Sequence, residues 1–394
     1  MSFQKERGKK EMSEKLERAY KDNFSASEKG FLDLLELVKE IESGDRWFTV
    51  PAKGIRFEAL PKEPMYLDST ALKFNLTDDE KDVLSDTMKG SGLVVNIEGT
   101  FYFVRDCAIR TIYERAKISG NALGRLTREN LCDVLNKCMA VSRGDALVYQ
   151  SNGKVSAVHG GDKADYSKLP ISNLLEVLSF ELDARFPNSE FWGGYTDHTI
   201  TTANWTFPEQ CDTLLNNYEK ELGSNNPDLV PGIKFATSNV GTSCANIYPF
   251  ILNKMTRVAV RFGTGISVKH KNGKTIADFT KEIGYMYPKF INAVNALNKL
   301  MKIELFYPVN AMVEILKKIS VPKKYAVEAV RLFEARNGDK PATAHDVFWA
   351  ISESTFLMRA DNISEYKIFL VEDSIAKALH MNWIECDIGG ELAA

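Results

Sequence analysis

The chain has 394 residues, with 50 basic and 53 acidic side chains, a formal charge of −3 and 44% hydrophobic residues. Those proportions belong to an ordinary globular protein and exclude collagen-like repeats, fibres and wholesale disorder. Near-neutrality also excludes a global pull toward nucleic acid or an anionic membrane, so any such affinity must come from a local patch.

Residues 1–45 read as an N-terminal helical segment. Residues 5–21 are dense in alternating charge, and Ser27 is placed to cap a run in which Phe31, Leu34, Leu35, Val38 and Ile41 recur at helical spacing. Two short strands are expected over 47–50 and 55–60, punctuated by prolines. Thr77 and Glu80 form a capping box that opens a helix to about Met88. Residues 93–104 alternate around Glu98-Gly99, which predicts a hairpin. Two helices follow, over 108–117 behind Asp106 and over 129–139 behind Thr127. A second hairpin is predicted around Asn152-Gly153, a pair that tolerates the positive φ of a tight primed turn. Residues 169–186 form an amphipathic helix, 191–207 a polar strand region, 208–222 a helix and 224–231 a loop. Strands dominate 233–270, and everything after Asp278 reads as helix.

The layout is α+β: a mixed or antiparallel sheet region with hairpins and flanking helices over 46–275, followed by an all-helical part over 276–394. The charged N-terminus leads into no apolar stretch, and no run of about 18 apolar residues occurs, so neither a secretory signal nor a membrane span is expected. Cys107, Cys132, Cys138, Cys211, Cys244 and Cys386 are scattered without C-x-x-C pairs, which predicts reduced thiols in a cytoplasmic protein.

One local charge signal stands out. Residues 252–277 contain no acidic residue but carry Lys254, Arg257, Arg261, Lys269, Lys271 and Lys274, plus His270. Alternation puts Val258, Val260 and Phe262 on one face and Arg257 and Arg261 on the other. With Gly263-Thr264-Gly265 as a turn, the two stretches would pair as a hairpin with a basic outer face. Such a ribbon would track phosphates, largely without sequence preference. The alternative reading is a solvated edge kept basic against aggregation.

The second feature is the Thr- and aromatic-rich stretch from Trp192 to Trp205. Tyr195 and Trp205 are candidates to stack on bases, as in single-strand binders, and Gly193-Gly194 permits close backbone approach. The alternative is a strand whose aromatics are core. No Walker-A loop, G-x-G-x-x-G, H-E-x-x-H or G-x-S-x-G motif occurs, so no catalytic residue, cofactor or metal is assigned. Asp197-His198 is the best acid/base pair, but neighbours on a strand point to opposite faces. Thr242-Ser243-Cys244 offers a nucleophile, although Ser, Asn and Gly also cluster at turns for backbone reasons.

The order of segments from about Phe101 to Met358 resembles the phage/plasmid-like protein family known as domain of unknown function 932. The likeness begins with the two helices Ala108-Ile109-Arg110 through Leu131-Cys132-Asp133-Val134-Leu135-Asn136. It continues with the strand Val155-Ser156-Ala157-Val158-His159. Where the family has Ser-Asp-Arg-Tyr, this chain has His159-Gly160-Gly161-Asp162 and keeps Tyr166. The block from Pro231-Gly232-Ile233 through Ser238-Asn239-Val240-Gly241 to Lys269-His270 is similar to the family's glycine-centred strand, arginine-bearing strand and late histidine. Arg257 or Arg261 would be that arginine, and the family's Cys-x-Asn-Gly is replaced by Val260-Arg261-Phe262-Gly263. His345 to Ser354 is similar to a late helix of the family.

The resemblance implies a gene of a phage, plasmid or integrative element in a bacterial host, with a role in DNA maintenance or recombination. The expectation is a non-enzymatic protein that binds single-stranded DNA. Lys254, Arg257, Arg261, Lys269, His270, Lys271 and Lys274 would contact phosphates, and Tyr195 and Trp205 would stack. Two rivals are carried forward: an interaction protein that binds a host or phage protein, with an oligomer allowed, and a metal-dependent hydrolase built on Asp197, His198 and His270.

Overall fold

The computed structural model describes residues 21–222, 228–338 and 340–390. The charged stretch 5–20 and residues 224–227 of the expected loop lie outside the described residues, while residues 229–231 of that loop are strand. The fold is α+β, with antiparallel sheets and hairpins flanked by helices and a helix-rich C-terminal region.

The first described strand, β1 (Ser25–Glu28), pairs with the edge of the largest sheet, so Ser27 lies in a strand and the helix α1 (Phe31–Ser43) starts after Gly30 instead. Next come β2 (Arg46–Pro51) and β3 (Ile55–Ala59), then α2 (Leu67–Lys73) and α3 (Asp78–Lys89). The Thr77–Glu80 capping box opens α3 as expected. β4 (Leu93–Ile97) and β5 (Thr100–Phe103) form the first predicted hairpin. The helices α4 (Ile109–Ala116) and α5 (Arg128–Val141) follow, the second capped by Thr127. β6 (Asp145–Ser151) and β7 (Lys154–Gly160) form the second hairpin, and Asn152 (φ 45°) and Gly153 (φ 78°) take the left-handed conformations that such a turn requires. Two three-stranded sheets, β3-β4-β5 and β2-β6-β7, enclose with α4 and α5 a core that includes Phe57, Val95, Ile112, Leu135 and Val148.

The remainder is built on a seven-stranded sheet. After α6 (Ile171–Arg185), β8 (Glu190–Asp197) and β9 (Thr201–Thr206) form a hairpin; α7 (Cys211–Leu214) and α8 (Asn216–Leu222) lead to β10 (Leu229–Thr237) and β11 (Ala245–Asn253). β12 (Val258–Arg261) and β13 (Ile266–Val268) complete the sheet, whose order is β1-β8-β9-β10-β11-β12 with β13 also on β11. Then come α9 (Ile276–Ile283), α10 (Met286–Leu300), α11 (Pro308–Lys318), α12 (Lys323–Asn337), α13 (Ala344–Ala360) and α14 (Glu365–Ala378). The short strands β14 (Glu304–Leu305) and β15 (Ala342–Thr343) pair between them, so this part is helix-rich and not all-helical. One core runs from Leu34 on α1 through the sheet to Trp383 and Cys386. The hydrophobic cores therefore do not follow boundaries at residues 45 and 275: the C-terminal helices and the large sheet bury one another. No helix among the described residues is long and apolar enough to cross a membrane.

The predicted basic hairpin does not form. β12 and β13 do not pair with each other; both pair with β11, at Phe250–Asn253 and at Ala245–Ile247 respectively. They are two pieces of one edge strand, broken between Phe262 and Gly265. The break lies opposite Pro249, whose carbonyl accepts from the Phe262 N–H at 3.2 Å. In an antiparallel strand a residue's N–H and C=O face the same neighbour, so the donor that proline lacks is missing where the ladder stops. As a result the cations spread along β11. Lys254 and Arg257 sit in the turn beyond Asn253, and Lys269 and Lys271 lie beyond Ala245, about 27 Å away at ~3.4 Å per residue.

Candidate functional site

Between the two cores lies a cleft of about 650 Å³, within the range of small-molecule sites. One wall is α4 with its C-terminal Lys117, the Arg143–Asp145 turn and the end of β7. The other is the Gly241–Cys244 loop and Lys269–Lys271, with the connector around Asp162–Tyr166 closing one end.

The basic groups of the cleft fall into two kinds. Arg110 pairs with Glu114 at 2.9 Å, and Arg115 is buried, donating to the carbonyls of Arg143 and Gly144 at 2.8 and 3.1 Å. Lys117, Arg143, Lys269 and Lys271 are exposed, and no ion pair to a carboxylate is found for any of them among the described residues. Two of these cations stand on each wall. Asp145, Asp162 and Asp165 also line the cleft, and the Asp162 carboxylate is turned back to accept the Ala164 N–H at 2.8 Å.

Beneath the cleft runs a ladder of rings drawn from both units. Tyr149 stacks on Trp47 at 4.3 Å, Trp47 faces Tyr166 at 5.7 Å, Tyr166 stacks on His159 at 3.7 Å, and His270 follows at 5.5 Å from Tyr166. The Asn239 carbonyl receives both His159 Nε2 (2.9 Å) and the Tyr166 hydroxyl (3.2 Å). Burial pulls His159 and His270 down to about 4, so both rings are neutral at physiological pH. His270 is thus a buried ring of the ladder, 6% exposed, rather than a phosphate contact.

At the far end of the ladder the Tyr149 hydroxyl donates to Asp45 at 2.7 Å. Burial pushes the Asp45 carboxyl up to about 6. Between about pH 4 and 6 the folded chain holds a proton that the unfolded chain has released, so this group's contribution to stability falls as pH rises. The buried, neutral His159 and His270 act in the opposite sense over the same range. Urea unfolding should therefore show stability rising more steeply between about pH 4 and 6 in Asp45→Asn than in the wild type. An Asp45→Asn variant with the wild-type pH dependence would contradict this.

The structure divides the other predicted residues. Trp205 is core, 3% exposed, with Phe31 and Phe191 at 5.7 and 5.2 Å; it faces the opposite side of the sheet from Tyr195, so the two cannot stack on one strand of bases. Arg261 is 5% exposed, pairs with Asp373 at 2.6 Å and sits over the Tyr248 ring at 3.2 Å. Lys274 is exposed but pairs with Asp278 at 2.9 Å. Lys254 is exposed at the β11–β12 turn and lines no cavity described here. Arg257 and Tyr195 line a second cavity on one face of the sheet.

The proposed hydrolytic trio is not gathered. Asp197 accepts the Thr199 and Ile200 N–H groups and the Tyr195 hydroxyl. His198 Nε2 lies 2.9 Å from Arg105 and 2.8 Å from the Lys21 carbonyl, and His270 sits in the ladder. Among the described residues no group of three or more His, Cys, Asp or Glu is placed to hold a metal. The Thr242 hydroxyl donates to the Thr199 carbonyl at 2.7 Å and that of Ser243 to the Cys244 carbonyl at 2.9 Å. The Thr242 hydroxyl therefore ties this loop to the β8–β9 connection, and the Ser243 hydroxyl serves its own turn.

Sequence reasoning found Lys269 and Lys271 through the missing acidic residues, but it missed Lys117 and Arg143, which carry no local signal. The chain matches no protein-family model, no curated protein and no solved structure.

Proposed function

We propose that the cleft binds the phosphate backbone of single-stranded DNA, and that the protein is a non-enzymatic DNA-binding component of a phage or plasmid. The observation that carries this reading is the placement of Lys117, Arg143, Lys269 and Lys271: four exposed cations, two on each wall, without carboxylate partners among the described residues. Facing cations repel, so such walls favour an anion between them. The ladder beneath supplies rigidity rather than charge. The mobile-element setting rests on the resemblance of the segment order to the phage/plasmid-like family.

Fluorescence anisotropy of a labelled oligothymidylate across a salt series tests the proposal. Four phosphate contacts to a single strand predict a slope of log K against log salt of roughly −3. Binding that is absent at low salt, or indifferent to salt, would defeat the reading.

A further inference from the structure

We infer a second binding site, separate from the cleft, for a planar aromatic ligand that carries a phosphate: a nucleoside monophosphate. It is a cavity of about 390 Å³ on one face of the seven-stranded sheet, and it shares no residue with the cleft.

The register of the sheet builds its floor. Asn204 pairs with Lys234, Tyr248 with Lys234, and Phe250 with Arg261, so these side chains project from one face. Trp192 would not share that face with Tyr195 in a regular strand, because residues three apart point to opposite sides. A bulge in β8 between Phe191 and Gly193 inserts one residue and restores the match. Gly232, opposite Phe250, has no Cβ; one there would stand 2.5 Å from the Phe250 ring. Glycine therefore leaves the ring free to lie along the floor, 6.3 Å from Trp192.

The walls and rim give the chemistry. Trp192 is 44% exposed and Phe356, on α13, is 51% exposed, an unusual amount for two large aromatics lining one cavity. Aromatic faces of this kind take nucleobases by stacking. The charges deeper in the cavity are already balanced: Lys234 binds Glu365 and Glu372, Arg359 binds Glu372, and Arg261 binds Asp373. At the rim, Lys29 and Arg257 are exposed with no ion pair among the described residues, while Glu28 is buried beside them. Aromatic walls under two unmatched cations fit a base with a phosphate attached.

Trp192 also supplies the readout. Titration of the full chain with deoxyadenosine 5′-monophosphate should quench part of its tryptophan fluorescence saturably and raise its melting temperature. Deoxyadenosine and inorganic phosphate, each offering half of the ligand, should bind at least about tenfold more weakly. Trp192→Phe should remove the fluorescence change and Arg257→Ala should weaken binding about tenfold or more, while Lys117→Glu with Lys269→Glu, in the cleft, should leave both effects in place. Benzoate serves as an aromatic anion without a nucleobase. No saturable signal with the monophosphate, equal binding of benzoate, or loss of binding in the cleft variant would each overturn the assignment.

Discussion

Replacing Asp22 with Asn is expected to destabilise the protein by about 3–5 kcal/mol, the usual cost of leaving buried charge without its counterion. Asp22 Oδ1 lies 3.0 Å from Arg105 and 2.9 Å from Lys154, whose side chains are 1% and 0% exposed. Arg105 follows β5 and Lys154 opens β7, while Asp22 precedes β1 at the edge of the large sheet, so this one carboxylate ties the two cores together. Burial already lowers the Lys154 ammonium from its ordinary value, against the pull of Asp22. Without Asp22 the lysine can escape by losing its proton, whereas the guanidinium cannot. The folded variant then binds fewer protons than the unfolded chain at high pH, so its stability rises with pH more steeply than the wild type's. Urea melts at several pH values measure both effects, and a second change, Lys154→Met, should return part of the loss. A cost below about 1 kcal/mol would show that Asp22 is not the shared counterion.

Glu372 is the second such point. Its carboxylate is buried between Lys234, at 2.9 Å, and Arg359, and it joins α14 to the centre of the sheet. Burial opposes its charge, but Lys234 and Arg359 more than offset this and hold it at about 2. A depressed carboxyl contributes stability that is present above the unfolded value, near 4.5, and is lost as pH falls toward 2. Glu372→Gln should cost about 1–3 kcal/mol at neutral pH by taking one of two carboxylates from buried Lys234, which keeps Glu365, and the nearest one from the partly exposed Arg359. The variant's stability should also fall less between pH 4.5 and 2 than the wild type's. An unchanged acid limb in denaturation experiments would place that pH dependence elsewhere.

Much of the local structure was legible because its causes are local. Asn152-Gly153 and Glu98-Gly99 make their hairpins through backbone conformations that few residues accept, and Thr77 with Glu80 caps a helix through four consecutive residues. The helices after residue 275 followed from apolar spacing. What the chain hid depends on long-range register. The basic ribbon looked continuous because alternation runs through it, yet Pro249 on the neighbouring strand, an irregularity in an otherwise apolar run, breaks its pairing and sends its cations to opposite ends of β11. Trp205 and Tyr195 looked like partners, and only the pairing of Tyr195 with Thr202, three residues before Trp205, shows that they face opposite ways. The ring ladder joins Trp47 to His270, a juxtaposition that no spacing rule reaches.

The same register separates the cleft from the β11–β12 turn, and one comparison tests whether the cleft is where DNA binds. Two double charge reversals, Lys117→Glu with Lys269→Glu and Lys254→Glu with Arg257→Glu, alter the net charge equally and so control for the overall field. Anisotropy with the same oligothymidylate at low salt should show a loss of about 100-fold or more for the first variant and no more than about threefold for the second. Equal losses, or a larger loss at the β11–β12 turn, would contradict the account.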